Sequence, residues 1–160
     1  MWRRFLIACA LVLLPSVALA GDLGINLYGL SYHFERGRAR DIAADNEVNP
    51  GLGLRYRIPH SERVEWFLDG GAYRDSGRNT AVYAGGGAFW KPTRRFGAGI
   101  ALAAFESDTY NRGRAFVAPI PLVSYDLGAA SLNMAYLPKI ADLNDINTLA
   151  FWITLWPGKW

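Results

Sequence analysis

The chain has 160 residues, is 51% hydrophobic and 19% charged, and carries a formal charge of +3. That length suits one domain, and a single cysteine with two histidines leaves no disulfide framework and no thiolate metal cluster. The charge argues for no nucleic-acid partner, because Arg3 and Arg4 sit in a segment expected to be removed and without them +3 falls to +1. That segment, residues 1–20, reads as a signal peptide. Met1-Trp2-Arg3-Arg4 is a basic start, Phe5 to Leu14 is an apolar run too short to span a bilayer as a helix, and Ala18-Leu19-Ala20 is a small-x-small cleavage site. Cys9 leaves with it, so residues 21–160 form one cysteine-free domain.

From there the chain alternates with a period of two between polar clusters. Strands are expected near 23–34, 50–58, 64–73, 80–90, 96–106, 115–125, 129–137 and 147–156. In the second, Leu52, Leu54, Tyr56 and Ile58 oppose Arg55 and Arg57; in the third, Trp66 and Leu68 oppose Glu65 and Asp69. In the fifth, Phe96, Ala98, Ile100, Leu102 and Ala104 oppose Gly97, Gly99, Ala101 and Ala103. The seventh sets Leu132, Met134 and Tyr136 against Ser131 and Asn133, and the eighth sets Leu149, Phe151, Ile153 and Leu155 against Thr148, Ala150, Trp152 and Thr154. Large residues on one face with small or polar ones on the other fit a membrane barrel with its apolar face outward. A soluble, lipocalin-like barrel would turn the same apolar face inward.

Connection lengths favour the membrane form. Short links around Pro59-His60-Ser61, Lys91-Pro92-Thr93 and Asp126-Leu127-Gly128 alternate with mostly longer polar ones. Tyr28, Tyr32, Trp66, Tyr73, Trp90, Tyr136 and Trp156 lie near strand ends, where an interfacial girdle belongs. The expected fold is an all-β, eight-stranded antiparallel transmembrane β-barrel with little or no N-terminal amphipathic helix. A closed barrel has no edge to pair, so a monomer is expected. Its inward positions include Gly85, Gly87, Gly97, Gly99, Ala101 and Ala103, which either leave a narrow slot fit for an acyl chain or relieve barrel curvature.

His33 ends the first strand and Asp75-Ser76 opens the connection from the third strand to the fourth, so the two are expected at the same mouth. Histidine, aspartate and serine are the groups acyl transfer uses: a base, an acid that orients it, and a nucleophile or oxyanion donor. Asp-Ser in a loop is also ordinary turn chemistry, with side chains capping local N–H groups. The long connections carry Arg36, Arg38, Arg40, Arg74, Arg78, Arg112 and Arg114, whose guanidinium forks suit phosphate oxygens or simply a solvated loop. Inward Arg55, Arg57, Glu65 and Asp69 are expected to form an interior ion-pair network. No cofactor is called for.

Ser31-Tyr32-His33-Phe34, Asn49-Pro50-Gly51-Leu52-Gly53-Leu54, Tyr73-Arg74-Asp75-Ser76 and the tract Tyr83 to Trp90 follow one another in an order that resembles the PagP family of outer-membrane lipid A palmitoyltransferases. Ala118-Pro119-Ile120-Pro121-Leu122 and Tyr136-Leu137-Pro138 are similar to that family's proline-bearing sixth and seventh strands. The resemblance implies transfer of a palmitoyl chain from a glycerophospholipid to lipid A of the lipopolysaccharide. The reaction would take place in the outer leaflet of the outer membrane of a Gram-negative-type bacterium. It implies His33, Asp75 and Ser76 as catalytic, Gly87 as the acyl-length ruler beside Gly85, and Arg74 and Arg78 near the substrate. It also implies lateral openings near Pro50, Pro119/Pro121 and Pro138. The chain departs from the family in having no room for a helix before its first strand, in shorter loops and in a different set of interior polar residues.

Overall fold

The computed structural model describes residues 22–140 and 143–159. The expected signal peptide lies outside the described residues. Eight antiparallel strands run β1 (Asp22–His33), β2 (Val48–Pro59), β3 (Val64–Arg74), β4 (Thr80–Trp90), β5 (Phe96–Glu106), β6 (Phe116–Asp126), β7 (Ala130–Leu137) and β8 (Thr148–Leu155). Each pairs with its sequence neighbours and β8 returns to β1, closing the barrel. All eight fall within two residues of the positions that the alternation marks. No helix among the described residues is long and apolar enough to cross a membrane, which says nothing about strands.

The wall is sided as the alternation requires. Leu52, Leu54, Trp66, Leu68, Ile100, Leu102 and Leu132 point outward and are exposed, whereas Arg55, Arg57, Asn133 and Thr154 are buried inside. The aromatic residues divide. Tyr32, Trp66, Trp90 and Tyr136 stand on the outer wall near its ends. Tyr28, Tyr73 and Trp156 do not join that girdle. The first two line the interior, where the Tyr28 and Tyr83 hydroxyls bond to each other, and the Trp156 indole donates to Ser131 Oγ at 2.8 Å.

One irregularity sets the orientation of the histidine. In β1 the exposed apolar positions are Leu23, Ile25 and Leu27, then Leu30 and Tyr32. Unbroken alternation would have put His33 on the same outer face as Leu23. The register shifts between Tyr28 and Leu30 against both β2 and β8, so Gly29 forms a bulge that reverses the phase. His33 therefore faces in and is 1% exposed. Opposite the bulge, Pro50 offers no N–H to the ladder.

Two layers of charge fill the half of the interior nearer the short turns. Arg55 Nε donates to Asp69 Oδ2 at 3.0 Å, and Asn26, Tyr83 and Asn133 complete that layer. Below it Arg57 lies 3.1 Å from Glu65 and 3.4 Å from Asp126, with its guanidinium over the Trp156 ring. The expected interior network is present. Buried ions are tolerable only when paired in this way.

The other half is apolar. Ala101, Ala103, Phe105, Ala118, Ile120, Leu122 and Ala135 form one cluster with Phe67 and Phe89 beneath. The connection from β1 to β2 holds a six-residue helix, α1 (Arg36–Asp41), that the alternation gave no sign of. Its Ala39 packs on Ala44 and on Ile146 from the β7–β8 connection.

Candidate functional site

His33 closes β1 at the long-loop mouth, and Ser76 opens the connection from β3 to β4. The bulge aims the imidazole inward, and a turn built on Asp75 brings Ser76 to meet it. His33 Nε2 and Ser76 Oγ lie 2.9 Å apart, a base–hydroxyl hydrogen bond, and both residues are buried. This is the spacing at which an imidazole can take a hydroxyl proton.

Asp75 does not face the imidazole, contrary to its expected orienting role. Its Oδ1 accepts from the Gly77 and Asn79 backbone N–H groups, both at 2.9 Å, and its Oδ2 accepts from Ser107 Oγ. Those bonds hold the tight turn, in which Arg78 adopts a left-handed φ of 65°. The carboxylate is fully buried and positions the neighbouring serine.

The carboxylate in contact with the imidazole is Glu47, just before β2, which sequence reasoning passed over. Its Oε1 lies 3.7 Å from His33 Nδ1 and accepts from the His33 backbone N–H at 3.1 Å. Nothing in a polar loop sequence distinguishes Glu47 from its acidic neighbours. The signal lies in the pairing, which sets residue 47 beside Ser31 and His33. Tyr110, from the β5–β6 connection, is the second group missed. Its hydroxyl faces Ser76 and Tyr73, and burial, followed by the nearby Asp75 charge, pushes the phenol up to about 12.

Ser76 stands where two cavities meet. One, of about 110 Å³, runs down the barrel axis from Ser76 and Tyr110 past Gly85, Ala101, Ala103 and Ile120 to Arg55, Phe67 and Trp152. The other, of about 240 Å³, is polar and opens among the loops, bordered by His33, Thr109, Asn111, Arg112 and Asn144. A smaller cleft of about 30 Å³ lies in the wall between Pro119 on β6 and Pro138 after β7. Pairing of β6 with β7 begins only at Leu122 and Ala135, so the wall is open above that level.

Gly85 lines the axial cavity as expected; Gly87 does not. The Phe67 ring covers it, its Cζ lying 2.8 Å from where a Gly87 Cβ would stand. That Cβ would also meet the Ala101 Cα at 2.7 Å and the Ile100 carbonyl. Close strand approach requires glycine at both positions, because a Cβ on Gly85 would likewise meet the Ala103 Cα at 2.7 Å; what sets 85 apart is that it also borders the open cavity. Arg78 is engaged by Asp45 at 2.9 Å, an exposed pair that holds the Asp45 carboxyl below its usual range. Arg74 is exposed beside the mouth, with its carbonyl accepting from Asn49.

Fold and site together define a closed eight-stranded barrel with a histidine–serine pair over an axial apolar cavity. No protein-family model matches the chain, and no curated protein matches it.

Proposed function

We propose that the protein is an outer-membrane acyltransferase that moves a fatty acyl chain from a glycerophospholipid to lipid A. The observation that carries this reading is the 2.9 Å His33–Ser76 pair standing at the top of an apolar cavity. Strand rise and tilt make that cavity roughly 10–15 Å deep. One leaflet of hydrocarbon is about 15 Å thick, half of the usual ~30 Å core. The cavity thus suits one acyl chain of one leaflet, and its ester would lie beside the pair. The exposed apolar wall supports burial in lipid, and the open stretch between β6 and β7 supports sideways entry of a chain.

The chemistry is an exchange of esters. A hydroxyl oxygen attacks the acyl carbonyl carbon and gives its proton to His33 Nε2. The tetrahedral adduct collapses, the bond from that carbon to the donor's glycerol oxygen breaks, and the imidazolium returns the proton to the departing oxygen. Ser76 enters in one of two ways. As nucleophile it accepts the acyl group first and passes it on in a second round; as donor it steadies the oxyanion while the lipid A hydroxyl attacks directly. The polar loop cavity would take the acceptor. Arg40, Arg74 and Arg114, exposed and in no ion pair among the described residues, suit its phosphates.

Mass spectrometry of lipid A and phospholipids from cells with and without the protein tests the reading. The expected result is lipid A heavier by one acyl chain, matched by lysophospholipid. Lysophospholipid with unmodified lipid A would instead mean transfer to water, and no change in either would leave a non-catalytic barrel.

A further inference from the structure

We propose that Glu47 is the positioning carboxylate of the His33 imidazole, an assignment that rests on the acyl-transfer reading of the same site. Nδ1 of His33 is buried and has no hydrogen-bond partner. A buried polar nitrogen left unbonded is costly, and the cost rises once the ring is charged. Glu47 Oε1 stands 3.7 Å from that nitrogen while holding the backbone N–H of the same residue at 3.1 Å. One oxygen therefore registers both the strand end and the ring. Arg36 grips the carboxylate from the solvent side, Nε at 3.3 Å from Oε1 and Nη2 at 3.0 Å from Oε2.

Asp75 cannot take this part while its oxygens bind Gly77, Asn79 and Ser107. When Nε2 receives the proton, the ring becomes cationic and Nδ1–H must point at an acceptor. Contraction of the 3.7 Å gap supplies it, as bonds at such sites commonly tighten when substrate is bound. The groups facing the imidazole are Glu47 and Asp45 from the β1–β2 connection, Arg36 from α1, Ser76 from the β3–β4 connection and Thr148 opposite on β8. Of these two carboxylates Glu47 is the one in contact with the ring, 3.7 Å from Nδ1, while Asp45 pairs with Arg78.

The test uses the whole protein in phosphatidylcholine vesicles containing lipid A, with Glu47→Gln, Glu47→Asp and Arg36→Ala. Glutamine keeps an oxygen for the backbone N–H but loses the charge, so the strand end stays held. Glu47→Gln is expected to lower kcat by about tenfold or more, a part of the ~10²–10⁴ that a positioned base supplies, with KM unchanged. The acid limb of its pH–rate profile should move to lower pH. Glu47→Asp should recover part of the loss, and Arg36→Ala should move the limb the other way. Independently of activity, the ring-proton NMR titration of His33 should shift in Glu47→Gln. An unmoved titration, or a pH profile superimposable on the wild type, overturns the assignment. Wild type that transfers no acyl chain while the titration still responds to Glu47→Gln would sink the acyl-transfer reading and leave the pairing standing.

Discussion

The floor of the axial cavity makes a quantitative prediction about chain length. Phe67 is 2% exposed, its ring 4.9 Å from that of Phe89, with the Arg55 guanidinium 4.7 Å above it. It occupies the space over Gly87, so on the acyl-transfer reading a bound acyl chain is expected to stop at Phe67. Phe67→Leu opens part of that space and Phe67→Ala most of it. Each further methylene taken into an apolar pocket is worth about 0.8 kcal/mol, close to a fourfold gain in kcat/KM. Two more methylenes therefore favour the longer donor by roughly 1.6 kcal/mol, or about fifteenfold. Truncating a buried phenylalanine to alanine also costs about 3–5 kcal/mol of stability, so leucine is the safer variant. The assay offers phosphatidylcholines of graded chain length in competition and reads the acyl groups transferred, with folding followed by heat-dependent gel mobility. The wild type should stop gaining at a chain length that Phe67→Leu exceeds and Phe67→Ala exceeds further, while Ala103→Leu should shorten it. A folded Phe67→Ala barrel with the wild-type optimum would refute the floor. Gly87→Met should disturb pairing with β5 rather than act as a clean ruler, since its Cβ meets Ala101 and the Ile100 carbonyl.

Four further outcomes follow from the same geometry. His33→Asn should abolish transfer with an unchanged circular dichroism spectrum; retained turnover would remove the base. If Ser76 is the first acyl acceptor, acid-quenched protein carries one acyl adduct on Ser76 by mass spectrometry; full transfer by Ser76→Ala leaves it neither role. Asp69→Asn strands the buried Arg55 guanidinium and should cost on the order of 3–5 kcal/mol in a denaturant titration; a loss under 1 kcal/mol would contradict the pairing. Burial raises the folded pKa of the Tyr110 phenol from 10.0 to about 12, so its stabilising contribution is present below pH 10 and is lost as pH rises through 12. The ultraviolet phenolate difference between wild type and Tyr110→Phe should therefore be absent at pH 10.

The barrel was legible because its wall separates two environments residue by residue. Phe96 to Ala104 shows this: Phe96, Ile100 and Leu102 face out, while Gly97, Gly99, Ala101 and Ala103 face in. The bulge was not read from the alternation, although it leaves a trace there: the exposed apolar positions pass from Leu23, Ile25 and Leu27 to Leu30 and Tyr32. The site was half legible. His33 and Ser76 announce themselves by residue type and by the mouth they share. Asp75 announced itself equally and serves the turn instead, because an Asp beside a serine satisfies local N–H groups before it can reach another strand. Phe67 over Gly87, Tyr110 over Ser76 and Glu47 beside His33 depend on shear, which sets which residues of neighbouring strands stand level. No local pattern carries that offset.

Shear also explains why chemistry would sit where it does. The barrel's lower half is charged and filled by Arg57 and Trp156, which leaves no apolar room for an acyl chain. Its upper half is apolar inside and incompletely paired between β6 and β7. An ester is the one part of a lipid that belongs to neither phase. Ser76 borders both the axial cavity and the loop cavity. On the acyl-transfer reading, a chain seated in the first would present its carbonyl at the hydroxyl bonded to His33. Binding energy gained from methylenes along the chain then orients an atom the methylenes never touch, which is how an apolar slot serves a polar reaction.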